Sequence, residues 1–215
     1  MQSDIPVFYP NMLKLFSECP LRFYYRYSEQ IPTPLPDKGF VTGKNIHSLA
    51  SYYLKGMDIT KFEKALTPKE AEMWSVLKNN PYFDMDIVGV EKNIIARLGD
   101  NWIGGRLDAV IKNGNSYFIL DYKTGGVNSD MVYDFQTMVY LMLCHSVYEG
   151  YDSLSFVYLD LKNNKEVTIA FNDDLKIEYE KKLSDIIASI TEFNPSKYEP
   201  NPDCNCEFSN ICRPN

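Results

Sequence analysis

The stretch GGRLDAVIKNGNSYFILDYKTGG, residues 104–126, decides how this chain is read. Two apolar runs flank Asn113-Gly114-Asn115, the composition of a tight turn between two strands. Into those runs the sequence sets Asp108, Asp121 and Lys123, which packing alone would not choose. Side chains two apart on a strand point the same way, so Asp121 and Lys123 share a face and Tyr122 takes the other. With Asn113-Gly114 as a two-residue turn, Lys112 opposes Asn115, Arg106 opposes Asp121 and Asp108 opposes Ile119. Asp108 then lies one diagonal step from Asp121 on the same surface. That is a Cα separation of roughly 7–8 Å, close enough for both carboxylates to reach one ion.

Two carboxylates in apolar surroundings repel, and each raises the other's pKa. A hard divalent cation removes the conflict, and oxygen ligands suit Mg²⁺ or Mn²⁺. Lys123 beside the pair can hold or deprotonate a water, or neutralise charge growing on a phosphate. The plainer alternative is a set of salt bridges at the hairpin's edge. Gly125-Gly126, directly after the charges, leaves backbone room for a large ligand. His47, in GKNIHSLASYY, is polar on an otherwise apolar helical face, where a satisfied core histidine is the ordinary reading. Gln136 and Tyr140, four apart in DFQTMVY, share one helical face, which ordinary packing also explains.

Around this centre the hydrophobic period changes twice. NMLKLFSECPLRFYYRYSEQ reads as a helix in one or two pieces, re-set at Pro20, followed by the loop IPTPLPDKG. TGKNIHSLASYYLKG is a second helix closed by Gly56. TPKEAEMWSVL opens a third, with Thr67 as cap, Pro68 in the first position and Glu70 in the third. DIVGVEKNIIARL, WIGGRLDAVIK and SYFILDYKT are sequential strands joined at GDN and NGN. A helix over SDMVYDFQTMVYLMLCHSVYEG, the strands LSFVYLDL and EVTIAF, the helix DDLKIEYEKKLSDIIASI and a polar tail complete the order. The pattern predicts an α/β fold, a central mixed sheet flanked by helices with an N-terminal helical segment packed on it. One domain over 1–215 accommodates it: a helical portion 1–80, a catalytic core 85–192 and a cysteine-containing tail 193–215.

Composition bounds the partners. The chain has 215 residues, 45% hydrophobic and 14% aromatic, which argues against disorder. Its 22 Lys and Arg against 29 Asp and Glu give a net charge of −7, which counts against a broad nucleic-acid-wrapping surface. A local groove with bound cations still receives phosphates on an acidic protein. The opening residues MQSDIPVFYPNMLKLF carry no basic region leading into an apolar run, and no later segment approaches a membrane span, so a cytoplasmic protein without membrane contact is expected. Of five cysteines, Cys144 sits in an apolar stretch and reads as core, while Cys19, Cys204, Cys206 and Cys212 lie toward the two ends.

His47, Asp108 in GGRLDAV, Asp121 and Lys123 in LDYKTGG, and Gln136 and Tyr140 in QTMVY resemble, in order and spacing, the RecB-like branch of the PD-(D/E)XK nuclease superfamily. LKLFSECPLRFYYRY resembles that branch's N-terminal helix, and CEFSNIC its C-terminal cysteine segment. The resemblance implies a restriction-endonuclease-like core and Mg²⁺- or Mn²⁺-dependent exonucleolytic cleavage of DNA, single-stranded or threaded by an end, in recombination, repair or processing. A catalytically silent DNA-binding or assembly subunit of a repair or CRISPR complex is the alternative. Under the resemblance, Asp108, Asp121, His47 and the backbone carbonyl of Tyr122 ligate metal. Lys123 orients the attacking water or stabilises the transition state, and Gln136 and Tyr140 line the DNA path and brace the site. Glu91, in GVEKNI, falls where many relatives carry an acid, although a surface charge is the simpler reading.

One early cysteine with three late ones also resembles the iron–sulfur staple of the CRISPR-associated exonucleases and of the AddB nuclease domain. Four thiolates hold a [4Fe–4S] cluster or, in another chemistry, a structural Zn²⁺. Here a single residue, Asn205, separates Cys204 from Cys206, where the family usually has two, so the chain has less room to curl around a cluster.

Overall fold

The computed structural model describes residues 6–33, 39–128, 130–200 and 206–212, the side chains of 39 and 40 excepted. A two-residue strand, β1 (Val7–Phe8), leads into helices α1 (Pro10–Glu18) and α2 (Pro20–Phe23). Cys19 between them is extended at φ −159°, because Pro20 cannot continue the first helix yet suits the first turn of the next. A π-helical turn, Tyr24–Ser28, completes this segment. Then come α3 (Gly39–Leu54), α4 (Thr60–Lys64) and α5 (Pro68–Lys78). The predicted capping box starts α5: Glu70 N–H donates to the Thr67 hydroxyl at 3.3 Å, and the Glu70 carboxylate accepts from Thr67 N–H at 3.0 Å.

The strands β2 (Asp86–Leu98), β3 (Asn101–Asn113) and β4 (Ser116–Lys123) precede α6 (Phe135–Val147), β5 (Ser153–Asp160), β6 (Lys165–Ala170), α7 (Asp173–Thr191) and the short α8 (Ser209–Cys212). All six strands form one mixed sheet, with β2 antiparallel on one flank of β3 and the path β3-β4-β5-β6 on the other. On one face Leu13, Val139, Leu143 and Leu183 from α1, α6 and α7 close over Leu107 and Phe156. On the other, Ile46 and Leu49 of α3 and Leu77 of α5 close over Leu120 and Val157. Each such side chain, fully buried, contributes roughly 1.5–3 kcal/mol. The helix-flanked mixed sheet is the α/β architecture that the alternating periods predict, and it matches the restriction-endonuclease-like core that the resemblance implies. No helix among the described residues is long and apolar enough to cross a membrane.

Three local expectations are corrected. The hairpin turns at Gly114-Asn115, not at Asn113-Gly114, so Asn113 pairs with Ser116 and Ala109 with Leu120. Gly114 has φ +58°, the backbone a type II′ turn asks of its first central residue, and Asn115 is held outside by donating its amide to the Gly150 carbonyl at 2.6 Å. A shift of two preserves the face, and it aligns Asp108 with Asp121 rather than with Ile119. The helix expected from Ser129 begins only at Phe135, because Asp134 caps it by accepting from Gln136 N–H at 2.9 Å. The third is β1, unforeseen because two residues carry no period; it pairs parallel with β3 as Val7↔Trp102 and Phe8↔Ile103.

Candidate active site

The site lies in a fork of the sheet. Pairing between β3 and β4 ends at Ala109↔Leu120, while β4 stays in register with β5 through Lys123↔Asp160. Where the strands part, backbone groups lose their ladder partners, and buried ones must find others. Side chains supply them. Asp108 Oδ2 accepts from Tyr122 N–H at 3.1 Å, and Tyr140 donates its hydroxyl to the Arg106 carbonyl at 2.8 Å. Gly105 is required here, since a Cβ on it would collide with the Tyr140 ring.

His47 enters the fork from α3. Its Nδ1 lies 3.1 Å from Asp108 Oδ1 and its Nε2 lies 2.8 Å from the Tyr122 carbonyl. Both partners are acceptors, so the arrangement favours a ring protonated on both nitrogens. Burial works against that charge, but the hydrogen bond and charge of Asp108, with the charge of Asp121 behind it, push the His47 pKa from 6.5 up to about 8. Glu91 joins the group: His47, Glu91 and Asp108 each offer a ligand atom, all within 4.8 Å of one another. Glu91 reaches inward from a left-handed backbone, φ +53°, just past an irregularity between Ile87 and Gly89, and it is ion-paired with Arg106. The regular alternation that made Glu91 read as a surface charge is broken by this local re-aiming of the strand.

The second half of the site closes on itself. Asp121 is 3% exposed. Its Oδ1 accepts from the Gln136 side-chain amide, whose oxygen in turn accepts from Lys123 Nζ at 2.8 Å. Lys123 Nζ also lies 2.9 Å from Asp121 Oδ2, a charge contact off the hydrogen-bonding direction, so this buried oxygen has an ion-pair neighbour but no hydrogen bond. Burial first, then the charge of Asp108, raises the Asp121 pKa above the ordinary carboxylate range, and Lys123 opposes the shift. A buried carboxylate beside a second carboxylate and an imidazole, already drawing an ammonium to itself, fits a site that favours positive charge. The His47, Glu91 and Asp108 cluster can hold a divalent metal ion.

The sequence-predicted residues fall into two contacting sets, His47, Asp108 and the Tyr122 backbone on one side and Asp121, Lys123 and Gln136 on the other, coupled through the charges of Asp108 and Asp121. Tyr140 meets them through the Arg106 backbone, and Asp121 lies outside the His47, Glu91 and Asp108 group. Asp160 was not anticipated. It is 3% exposed and accepts from the N–H groups of Val127, Lys162 and Asn163 and from the Asn163 amide, at 2.8–3.1 Å. With Leu161 N–H donating to the Lys123 carbonyl at 2.9 Å, this fixes the chain on leaving Lys123. The only sequence signal was an aspartate just before Lys162-Asn163-Asn164, a turn-forming composition.

Comparison with known proteins gives this geometry a family. The profile described as the PD-(D/E)XK nuclease superfamily matches residues 10–85 and 63–213, nearly the whole chain between them. The chain belongs to the PD-(D/E)XK nuclease superfamily. Among solved structures, a protein of Eubacterium rectale with a provisional exonuclease name is 14% identical at a TM-score of 0.58, over 96% of this chain and 86% of that one. The protein SSO0001 is 20% identical at a TM-score of 0.51, over 99% of this chain and 87% of that one. At these identities the likeness is one of fold. No curated protein matches.

The cysteines are only partly in view. Cys144 is fully buried in the core, as expected. Among the described residues, Cys19, Cys206 and Cys212 do not form a group with all sulfurs within 4.8 Å, and Cys204 lies outside the described residues. The tail nevertheless returns to the first helices. Arg22 Nε donates to Glu207 at 2.9 Å, the buried Phe208 packs on Tyr25 with ring centroids 5.6 Å apart, and Tyr25 interacts with Cys212.

Proposed function

We propose that the chain is a Mg²⁺- or Mn²⁺-dependent deoxyribonuclease of the RecB-like branch, an exonuclease acting in the cytoplasm in DNA recombination, repair or processing, with residues 1–215 as one working domain. The observation that carries this is the fork itself. It sets a cation-binding group of His47, Glu91 and Asp108 beside a buried Asp121 that is already paired with Lys123.

In this reading His47, Asp108, Asp121 and the Tyr122 carbonyl hold the cation, with Glu91 as a further carboxylate. When bound, such a cation supplies Lewis-acid polarisation of a phosphoryl oxygen and acidifies water. Lys123, 2.9 Å from Asp121 and 2.8 Å from the Gln136 oxygen, would place an ammonium where it could orient the attacking water or offset charge on the pentavalent transition state. Gln136 holds Asp121 and Lys123 in one plane of hydrogen bonds, and Tyr140 keeps the fork open by capping the Arg106 carbonyl. A [4Fe–4S] cluster on Cys19, Cys204, Cys206 and Cys212, or a Zn²⁺ ion in its place, is the further metal of the proposal. Docking of Glu207 and Phe208 on Arg22 and Tyr25 supports it by bringing the segments near Cys19 and Cys206 together.

The test is incubation with end-labelled single- and double-stranded DNA, linear and circular, with Mn²⁺, with Mg²⁺ and with chelator. Cation-dependent loss of label from linear DNA, with circles spared, is the expected result. Rapid cutting of closed circles would make the enzyme an endonuclease. Binding without cutting would make it a silent DNA-binding or assembly subunit. Protein prepared without oxygen should be brown if the cluster forms, and zinc at one equivalent without iron would replace it.

A further inference from the structure

Next to the fork, between the start of α1 and the start of α6, lies a cavity of about 450 Å³ that the cleavage chemistry itself does not use. It shares Lys123, Gln136 and Tyr140 with the site. Arg106 lines both this cavity and the 580 Å³ mouth around His47, Glu91 and Asp108. A phosphate seated at Lys123 therefore has its neighbouring nucleoside at this cavity's entrance.

The lining has the chemistry of a nucleotide site. Tyr9 is 39% exposed, a large ring left in solvent at the chain's first helix. It packs on Gly104, where a Cβ would come within 2.9 Å of Tyr9 Cε1, so the first glycine of the GG pair makes room for the ring against the strand. Phe135 adds a second aromatic wall. The charged lining is Lys14, Arg106 and Lys123 against Asp134, a positive balance in a chain of net charge −7. Each of these cations has a carboxylate neighbour, Lys14 the α6 cap Asp134 at 3.5 Å, Arg106 the Glu91 carboxylate and Lys123 the Asp121 carboxylate, so a phosphate would be received by exchange for these partners. Asn11, which donates to the Tyr27 hydroxyl at 3.2 Å, offers an amide at the rim.

Resting on the nuclease reading, we infer that this cavity receives one unpaired nucleobase of the substrate strand, the base next to the scissile phosphate, stacked on Tyr9 with Lys14 on the adjoining phosphate. Every base has a π-face, so the subsite tolerates sequence; a base still paired in a duplex cannot enter it. The subsite selects for single-stranded or frayed ends.

The test is fluorescence anisotropy of a short labelled single-stranded oligonucleotide in Ca²⁺, compared with a series carrying one abasic position moved along the strand. Tyr9→Ala should weaken binding of the intact strand roughly 5- to 150-fold, the range of one base–aromatic stack. The loss should vanish for the one abasic strand that lacks the stacked base. Tyr9→Leu, which keeps apolar cover on Gly104, should show the same loss and guards against misfolding. Lys14→Ala should lower the slope of log affinity against log salt by roughly 0.7, one phosphate contact on a single strand. Metal affinity by calorimetry should be unchanged in all three. Equal weakening for intact and every abasic strand, or no change with Tyr9→Leu, overturns the subsite while leaving the nuclease reading standing. Wild-type protein that binds no oligonucleotide at all overturns both.

Discussion

The two halves of the fork are built from similar groups and reach opposite electrical states. On the α3 side, Glu91 and Asp108 face His47, whose two ring nitrogens are both committed to oxygen acceptors, so protons stand where a cation would. On the α6 side, Asp121 is met by the chain's own ammonium and amide, and only one oxygen lacks a hydrogen bond. One half is held for a cation by protons that pH can remove. The other is held by Lys123, in ion pair with Asp121, which a competing charge would displace. In the proposed reading the α3 side supplies most of the cation's ligands, and the α6 side adds Asp121 together with the ammonium of Lys123.

Substitution of the aspartates breaks the comparison most severely. Asp108→Asn touches both halves, through His47 and through Tyr122 N–H, and should abolish cleavage and metal binding together. Asp121→Asn keeps the side-chain volume and should leave a folded protein whose cleavage does not exceed the chelator background. Full metal-dependent activity in D121N would remove the α6 half from the site. Lys123→Ala should lower kcat by roughly 10²–10³, as for loss of one transition-state donor, while calorimetry still finds the metal bound. Metal binding lost along with turnover would collapse the division between the halves.

Gln136→Leu sharpens it, since the amide acts through Asp121 and Lys123. Metal affinity or activity should fall roughly 10- to 100-fold, the range for a group that orients a ligand. Gln136→Glu, which retains an acceptor for Lys123 but sets a second charge against Asp121, should recover little. The smallest effect is that of pH. His47 titrates at about 8 in the metal-free fold against 6.5 ordinarily. Its charged form therefore stabilises that fold below 6.5, and the contribution is lost as pH rises through 8. A ring nitrogen must shed its proton to take a cation, so apparent metal affinity should climb roughly tenfold per pH unit toward 8 and then level. The two slopes have opposite sign, and His47→Asn should flatten both; a slope in metal affinity that survives in H47N assigns the proton elsewhere.

Most of this was legible in the chain because strand alternation and helical spacing are local. Asp121 and Lys123 share a face by period, Gln136 and Tyr140 by a helical turn, and the Thr67–Glu70 capping box by three residues of spacing. Where two registers differ by a shift of two, as at Gly114-Asn115, the period cannot choose, and the decision fell to Asn115 bonding Gly150, 35 residues away. Glu91 was read more simply as a surface charge for the complementary reason, that a left-handed residue in a strand leaves no trace in a hydrophobic pattern. Asp160 is legible only once the turn after Lys123 is seen to need backbone acceptors.

The strand β3 pairs with β2 and β4 across two-residue turns but with β1 across nearly half of the chain, Val7 to Trp102. Short loops close in microseconds, whereas long-range parallel pairing waits on loop-closure entropy. The β2–β4 meander thus gathers Glu91, Asp108 and Asp121 early in folding, while His47 and Tyr9 arrive only when the first third of the chain docks. A partly folded chain with only the meander in place holds the acids without the histidine and the ring, so the complete His47, Glu91 and Asp108 group is among the last features to form.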